Sequence, residues 1–246
     1  MDSPICVALD ERDRDDIERL AAATADHVGM YKVGLTTFST FGPELLASLG
    51  QRHPVFLDLK LHDIPVQVEG AIRSVVELGA SITTVHASGG RAMLEAAVSG
   101  AEGRVKVVAV TVLTSLDDDD LVSIGIKGGA RVAVLRLAHL ALGSGLDGLV
   151  CSPLEVEALR VEFGPRERGG PLLIVPGIRP VVRGAGSEGP KGEEPVAADD
   201  QRRTLTPTEA IEAGADVIVV GRPITRAPDP AAAAEGIARS IQGAFA

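Results

Sequence analysis

Short, mostly apolar runs alternate along this chain with longer stretches in which apolar residues recur every three or four positions. The runs are Ile5–Leu9, Met30–Val33, Val55–Leu59, Ile82–Val85, Val105–Val110, Leu146–Val150, Leu172–Val175 and Val217–Val220. Each is rich in Val, Ile or Leu and too short for a stable helix. Apolar side chains at successive positions suit a parallel strand covered on both faces. Between the runs, sets such as Ile17, Leu20 and Ala21, or Val68, Ile72, Val75 and Val76, mark one face of a helix. Eight strands alternating with helices predict a single (β/α)8 barrel domain over residues 1–246.

Strand ends recur roughly every 25 residues, with longer gaps after strands 5 and 7. Both gaps follow C-terminal strand ends, the side on which such barrels build their active sites. The second gap contains Arg183 to Asp200, full of Gly, Pro, Glu and Ala and without an apolar period. It predicts a mobile loop over 179–203 that closes over a substrate.

Composition narrows the picture. Hydrophobic residues are 45% of the 246 and aromatics only 2%, with no Trp, so the core is aliphatic. A formal net charge of −10 argues against nucleic-acid binding, yet a few local cations would suffice for one phosphate. Cys6 and Cys151 each sit in an apolar run, which fits buried free thiols in a reducing compartment better than a disulfide. The start of the chain has no basic region, and no apolar stretch reaches the ~20 residues of a membrane span, so a soluble cytoplasmic protein is expected.

The most informative segment is Phe56-Leu57-Asp58-Leu59-Lys60-Leu61-His62-Asp63-Ile64-Pro65. Side-chain alternation puts Phe56, Asp58 and Lys60 on one face of strand 3 and Leu57 and Leu59 on the other. A lone Asp–Lys pair would serve a structural salt bridge as readily as a reaction. Strand 1, however, ends in Asp10, and strand 2 carries Lys32 beside its last apolar residue. Asp10, Lys32, Asp58, Lys60 and Asp63 are therefore expected to converge on one rim. Stability alone seldom requires so many ionisable groups on the face where barrel chemistry happens.

The segment Asp58-Leu59-Lys60-Leu61-His62-Asp63-Ile64-Pro65 resembles the signature of orotidine 5′-phosphate decarboxylases. Val7-Ala8-Leu9-Asp10, Tyr31-Lys32-Val33-Gly34, Val85-His86-Ala87, Val112-Leu113-Thr114-Ser115, Pro176-Gly177-Ile178-Arg179 and Val220-Gly221-Arg222-Pro223-Ile224 match that family as well, in its order and each at a strand end. The resemblance implies decarboxylation of orotidine 5′-monophosphate to UMP, the last step of de novo pyrimidine nucleotide synthesis, with no cofactor and no metal. It implies that Lys60 stabilises and protonates the carbon that loses carbon dioxide. Asp58 lies beside the substrate carboxylate, and Lys32 and Asp63 extend an alternating chain of charges. It further implies a homodimer in which Asp63 and Ile64 complete the partner subunit's site. Asp10 is expected at the ribose, Thr114 and Ser115 at the pyrimidine edge, and Pro176 in the loop after strand 7. Arg179, Gly221 and Arg222 are expected at the phosphate, and Gln201 as a bridge from phosphate to base.

Several features read more simply. His62 suits a packed or hydrogen-bonded side chain, and His86 a structural one as readily as a site residue. Asp117 to Asp120 suits a solvated loop or helix start, and Gly89-Gly90 a turn, since G-x-G-x-x-G is absent. Two alternatives stay beside the main reading. One is a magnesium-dependent sugar-phosphate decarboxylase or aldolase on a related barrel, because the D-x-K-x-x-D triplet occurs there too. The other is a barrel that binds a nucleotide without turnover.

Overall fold

The computed structural model describes residues 3–180 and 204–245. Eight parallel strands close a barrel in chain order: β1 (Ile5–Ala8), β2 (Met30–Gly34), β3 (Val55–Leu61), β4 (Ile82–His86), β5 (Lys106–Val110), β6 (Gly148–Val150), β7 (Leu172–Val175) and β8 (Val217–Val220). The closing pair runs Ile5 beside Ile218 to Val7 beside Val220. Every strand lies within two residues of its apolar run in the sequence.

Two apolar layers follow from the alternation. Val7, Val33, Leu57, Val85, Ala109, Leu149, Leu173 and Ile218 face outward and are covered by helices. The helix Pro65–Glu77 supplies Val68, Ile72, Val75 and Val76 to that layer, the face its periodicity predicts, and Pro65 sits in its first turn where a missing N–H costs nothing. The helix Arg14–Thr24 starts where Asp13 accepts the N–H groups of Asp15 (2.8 Å) and Asp16 (3.2 Å). Burying each Leu or Ile of this layer contributes about 1.5–3 kcal/mol. Inside the barrel, Cys6, Met30, Phe56, Ile82, Val108, Leu172, Ile174, Val217 and Val219 form a second apolar cluster. Two residues farther along β2, β3 and β4, the chain places Lys32, Asp58 and Thr84 instead, all buried. The barrel interior is apolar below and charged above.

The loop after β5 holds the short helix Asp118–Ser123, capped by Asp117 and Asp120, which exchange side-chain-to-backbone hydrogen bonds of 2.9 and 3.1 Å. After β7 the chain bridges Ile178 to Leu205, and the Arg179 N–H donates to the Leu205 carbonyl at 2.9 Å. Those contacts join the two ends of the long insert. The substrate-covering loop expected over 179–203 lies outside the described residues from 181 onward, Gln201 included. Cys6 and Cys151 are buried and unbridged. Among the described residues, no helix is long and apolar enough to cross a membrane.

Candidate active site

At the C-terminal mouth four charges alternate in sign. Lys32 Nζ lies 3.1 Å from Asp10 Oδ1 and 3.7 Å from Asp58 Oδ2. Lys60 Nζ then donates to Asp58 Oδ2 at 2.8 Å. Lys32 is only 9% exposed and Asp58 8%. Removing such ions from water costs several kcal/mol each, about what close pairing must offset. Burial alone would push the Asp58 carboxyl up, but Lys32 and Lys60, with hydrogen bonds from Lys60 and Thr84, outweigh it and hold it below its ordinary value. Burial likewise would pull Lys32 down, yet Asp10 and Asp58 hold its ammonium above its ordinary value. Both groups are therefore ionised at neutral pH. Cys6, below them, has its thiol pushed up by burial and stays neutral.

Space in this chain of charges is tight. A Cβ on Gly34 would come within 2.6 Å of Asp10 Oδ1 and 2.9 Å of Lys32 Nζ. Glycine at that position lets the two charges meet over the end of β2.

These groups form one wall of a cavity of about 350 Å³. Its floor is the inner barrel: Ala8, Phe56, Val110, Val150 and Val219. Thr114 and Ser115 line it from the loop after β5. Pro176, Gly177 and Arg179 line it from the loop after β7, and Gly221 and Arg222 from the end of β8. Gly177 has φ 79°, a left-handed conformation that suits the turn from β7 into that loop. The result is an apolar slot with a Lys–Asp row on one side, hydroxyls on another, and two guanidinium-bearing residues after β7 and β8. Guanidinium forks match phosphate oxygens.

Lys60 reaches the cavity as alternation predicts, but by another backbone path. Between the pairs Leu57–Thr83 and Leu61–Val85, β3 takes four steps where β4 takes two. The extra residues bulge, and Lys60 adopts φ 53°, one of two positive values among the described non-glycine residues.

Asp63 makes no ion pair with the other four charges. It lines a neighbouring cavity together with Lys60, Leu59, Leu61, His62, Gln67, Val68 and Ala71. Its carboxylate accepts the Ile64 N–H at 2.6 Å. The reason is local: past the bulge, the chain leaves the sheet at Leu61 and turns through His62–Ile64 into the helix that starts at Pro65. Ile64 is 60% exposed and Val66 67%. His62 packs beside His86, their ring centroids 5.5 Å apart. Burial, followed by His62 and Lys60, lowers the His86 pKa against a smaller opposing effect of Asp58, keeping that ring neutral.

Thr84 escapes the sequence reading, and Gly34 and Gly177 occur there only within matching segments, without a role. For Thr84 a signal exists, a pair of hydroxyls in the otherwise apolar strand Ile82-Thr83-Thr84-Val85.

Residues 3–237 match the family described as Orotidine 5′-phosphate decarboxylase / HUMPS. The chain is 53% identical over 240 residues to the orotidine 5′-phosphate decarboxylase of Anaeromyxobacter sp. (strain K), covering 96% of this chain and 97% of that one. It is 48% identical over 244 residues to the enzyme of the same name from Thermobifida fusca, covering 98% and 97%. Among solved structures, orotidine 5′-phosphate decarboxylase from Lactobacillus acidophilus superposes with a TM-score of 0.80 at 35% identity, covering 98% of this chain and 99% of that one.

Proposed function

The chain belongs to the orotidine 5′-phosphate decarboxylase / HUMPS family, and from that premise we propose that its barrel mouth decarboxylates orotidine 5′-monophosphate to UMP and carbon dioxide. The observation that carries the reading is the row Asp10–Lys32–Asp58–Lys60 along an apolar slot whose rim holds Arg179 and Arg222.

The chemistry explains why such a row is useful. As the bond from ring carbon C6 to the carboxylate breaks, its electron pair stays on C6, in the plane of the ring and without a conjugated sink. Stabilisation must come from fixed charges in a site poor in water. Lys60 places an ammonium at the end of the row, beside the forming carbanion, and then transfers a proton to C6. Water reprotonates the amine afterwards. Asp58, ionised and buried, stands against the substrate carboxylate. Its repulsion disappears as carbon dioxide leaves, and its 2.8 Å contact aims Lys60. Lys32 keeps Asp58 ionised, and Asp10, paired with Lys32 at the cavity edge, holds the ribose. Thr114 and Ser115 bind the pyrimidine edge. Pro176 shapes the slot beside the base, and Gly221, Arg179 and Arg222 take the phosphate. Gln201 would reach phosphate and base from the insert. The protein residues suffice for this chemistry, with no cofactor.

Asp63 and Ile64 are assigned to the site of a partner subunit in a homodimer. Their exposure, beside Val66 and outside their own chain's charged cavity, supports that assignment.

Incubating the purified protein with orotidine 5′-monophosphate in EDTA tests the reading. UMP and carbon dioxide should form one for one. Magnesium-dependent conversion of a phosphorylated keto-sugar, with the nucleotide untouched, would replace this function with the sugar-phosphate reaction. UMP binding without turnover would leave only a nucleotide-binding barrel.

A further inference from the structure

Thr84 is completely buried on β4, at the layer where the barrel interior changes from apolar to charged. A hydroxyl has one proton to give and lone pairs to accept with, and here both capacities are directed at the catalytic strand. Thr84 Oγ1 donates to Asp58 Oδ1 at 3.0 Å. The same oxygen accepts the backbone N–H of Lys60 at 2.8 Å. The polarity is forced, because an amide only donates and an ionised carboxylate only accepts.

Both contacts fall in the bulge. In an uninterrupted parallel ladder successive residues bond alternate neighbours: the Val55 carbonyl accepts from Ser81 on the β4 side and the Pro54 carbonyl from Tyr31 on β2. The Lys60 N–H would therefore face β2, but the two surplus steps of β3 between Leu57 and Leu61 turn it towards β4. There the Thr84 hydroxyl, rather than a backbone carbonyl, accepts it. Lys60 also occupies φ 53°, a conformation that costs a non-glycine residue free energy and persists only where its surroundings impose it. Thr83, the adjacent hydroxyl, faces the other way and donates to the Leu57 carbonyl at 3.0 Å, so it does not share this task.

Resting on the decarboxylase reading, we propose that Thr84 is a positioning residue for the reaction. Its single hydroxyl ties the Asp58 carboxylate to the strained backbone of Lys60, so that the ammonium and the carboxylate are held in one geometry. Asp58 is thus gripped at both oxygens, Oδ2 by Lys60 and Oδ1 by Thr84. Without the hydroxyl, the carboxylate is free to rotate and the bulge loses an acceptor. Lys60 then no longer meets the reacting carbon at the required distance, while the phosphate and base contacts on β5, β7 and β8 are untouched.

The test compares Thr84→Val, which keeps the shape and removes the hydroxyl, with Thr84→Ser, which keeps the hydroxyl. Thr84→Val should lower kcat for orotidine 5′-monophosphate by about 10²-fold, the scale of a misplacement near 1 Å, and leave KM within about 3-fold. Thr84→Ser should restore kcat to within about 3-fold of the unmodified protein. If valine is not accommodated, Thr84→Ala carries the same comparison. Amide hydrogen exchange at Lys60 supplies a readout that does not depend on the substrate: faster in Thr84→Val, unchanged in Thr84→Ser. Undiminished kcat in Thr84→Val, a serine variant as impaired as the valine one, or Lys60 exchange unaffected by loss of the hydroxyl would each overturn the proposal. An unmodified protein inactive on the nucleotide would instead overturn the decarboxylase reading, and the exchange comparison would still decide whether Thr84 holds Lys60.

Discussion

Replacing Lys60 with alanine is expected to lower turnover of orotidine 5′-monophosphate by at least about 10³-fold, the upper range for removing one preorganised stabilising group. The expectation is larger than that range suggests, because Lys60 is assigned two tasks, stabilising the carbanion and supplying the proton. The fold should survive. The Lys60 side chain is 34% exposed, so the change opens no large core cavity. Asp58 keeps Lys32 at 3.7 Å and the Thr84 hydroxyl at 3.0 Å. UMP, which has no carboxylate to place beside Asp58, should still bind within a few-fold of the unmodified affinity. Initial rates, a UMP titration and circular dichroism together check this. Near-normal turnover in a folded variant would remove Lys60 from the chemistry.

Arg222→Ala carries the second large expectation. Hydrogen bonds to a charged group contribute about 1.5–3 kcal/mol each, and a guanidinium fork makes two. The value of kcat/KM for the nucleotide should therefore fall by between about 10² and 10⁴. Part of the loss should appear in kcat, because binding energy at a remote phosphate helps assemble the site around the reacting carbon. Orotidine, which lacks the phosphate, provides the control: its much poorer kcat/KM should be nearly the same with and without Arg222. Equal losses for both substrates would mean that Arg222 acts on the fold or the base rather than on phosphate.

The eight strands were legible because a strand buried on both faces needs apolar side chains at successive positions, and short Val-, Ile- and Leu-rich runs recur along the chain at the spacing of a strand–helix unit. The mouth was legible for a related reason. Asp10, Lys32, Asp58 and Lys60 interrupt those runs at their C-terminal ends, where an unpaired charge would be costly. What alternation could not show is pairing register. Nothing in Asp58-Leu59-Lys60-Leu61 reveals that β4 matches these residues with too few partners. Lys60 therefore reaches the predicted face through a left-handed backbone rather than a regular pleat. The same departure turns the following residues out of the sheet. Asp63 consequently shares the neighbouring cavity with Lys60 without an ion pair, its carboxylate on the Ile64 N–H.

Thr84 shows another limit. Its hydroxyl is meaningful only once the bulge opposite it is known, and in the sequence it is indistinguishable from Thr83, whose bond to the Leu57 carbonyl merely supports the sheet. Gly34 is similar: the crowding of Asp10 and Lys32 over its Cα is a property of three strands together. Arg179 and Arg222 were readable because phosphate sites of these barrels fall in the loops after strands 7 and 8.

Proton transfer between Lys60 and C6 is reversible in principle, so the group that protonates the carbanion also removes the C6 proton of bound UMP. UMP should therefore be held with the protein in deuterium oxide containing EDTA, and its C6 proton signal followed by nuclear magnetic resonance. The signal should fade with the unmodified chain and persist with Lys60→Ala. Exchange that proceeds as fast in the alanine variant as in the unmodified protein would contradict the assignment of Lys60 as the group that stabilises and protonates that carbon.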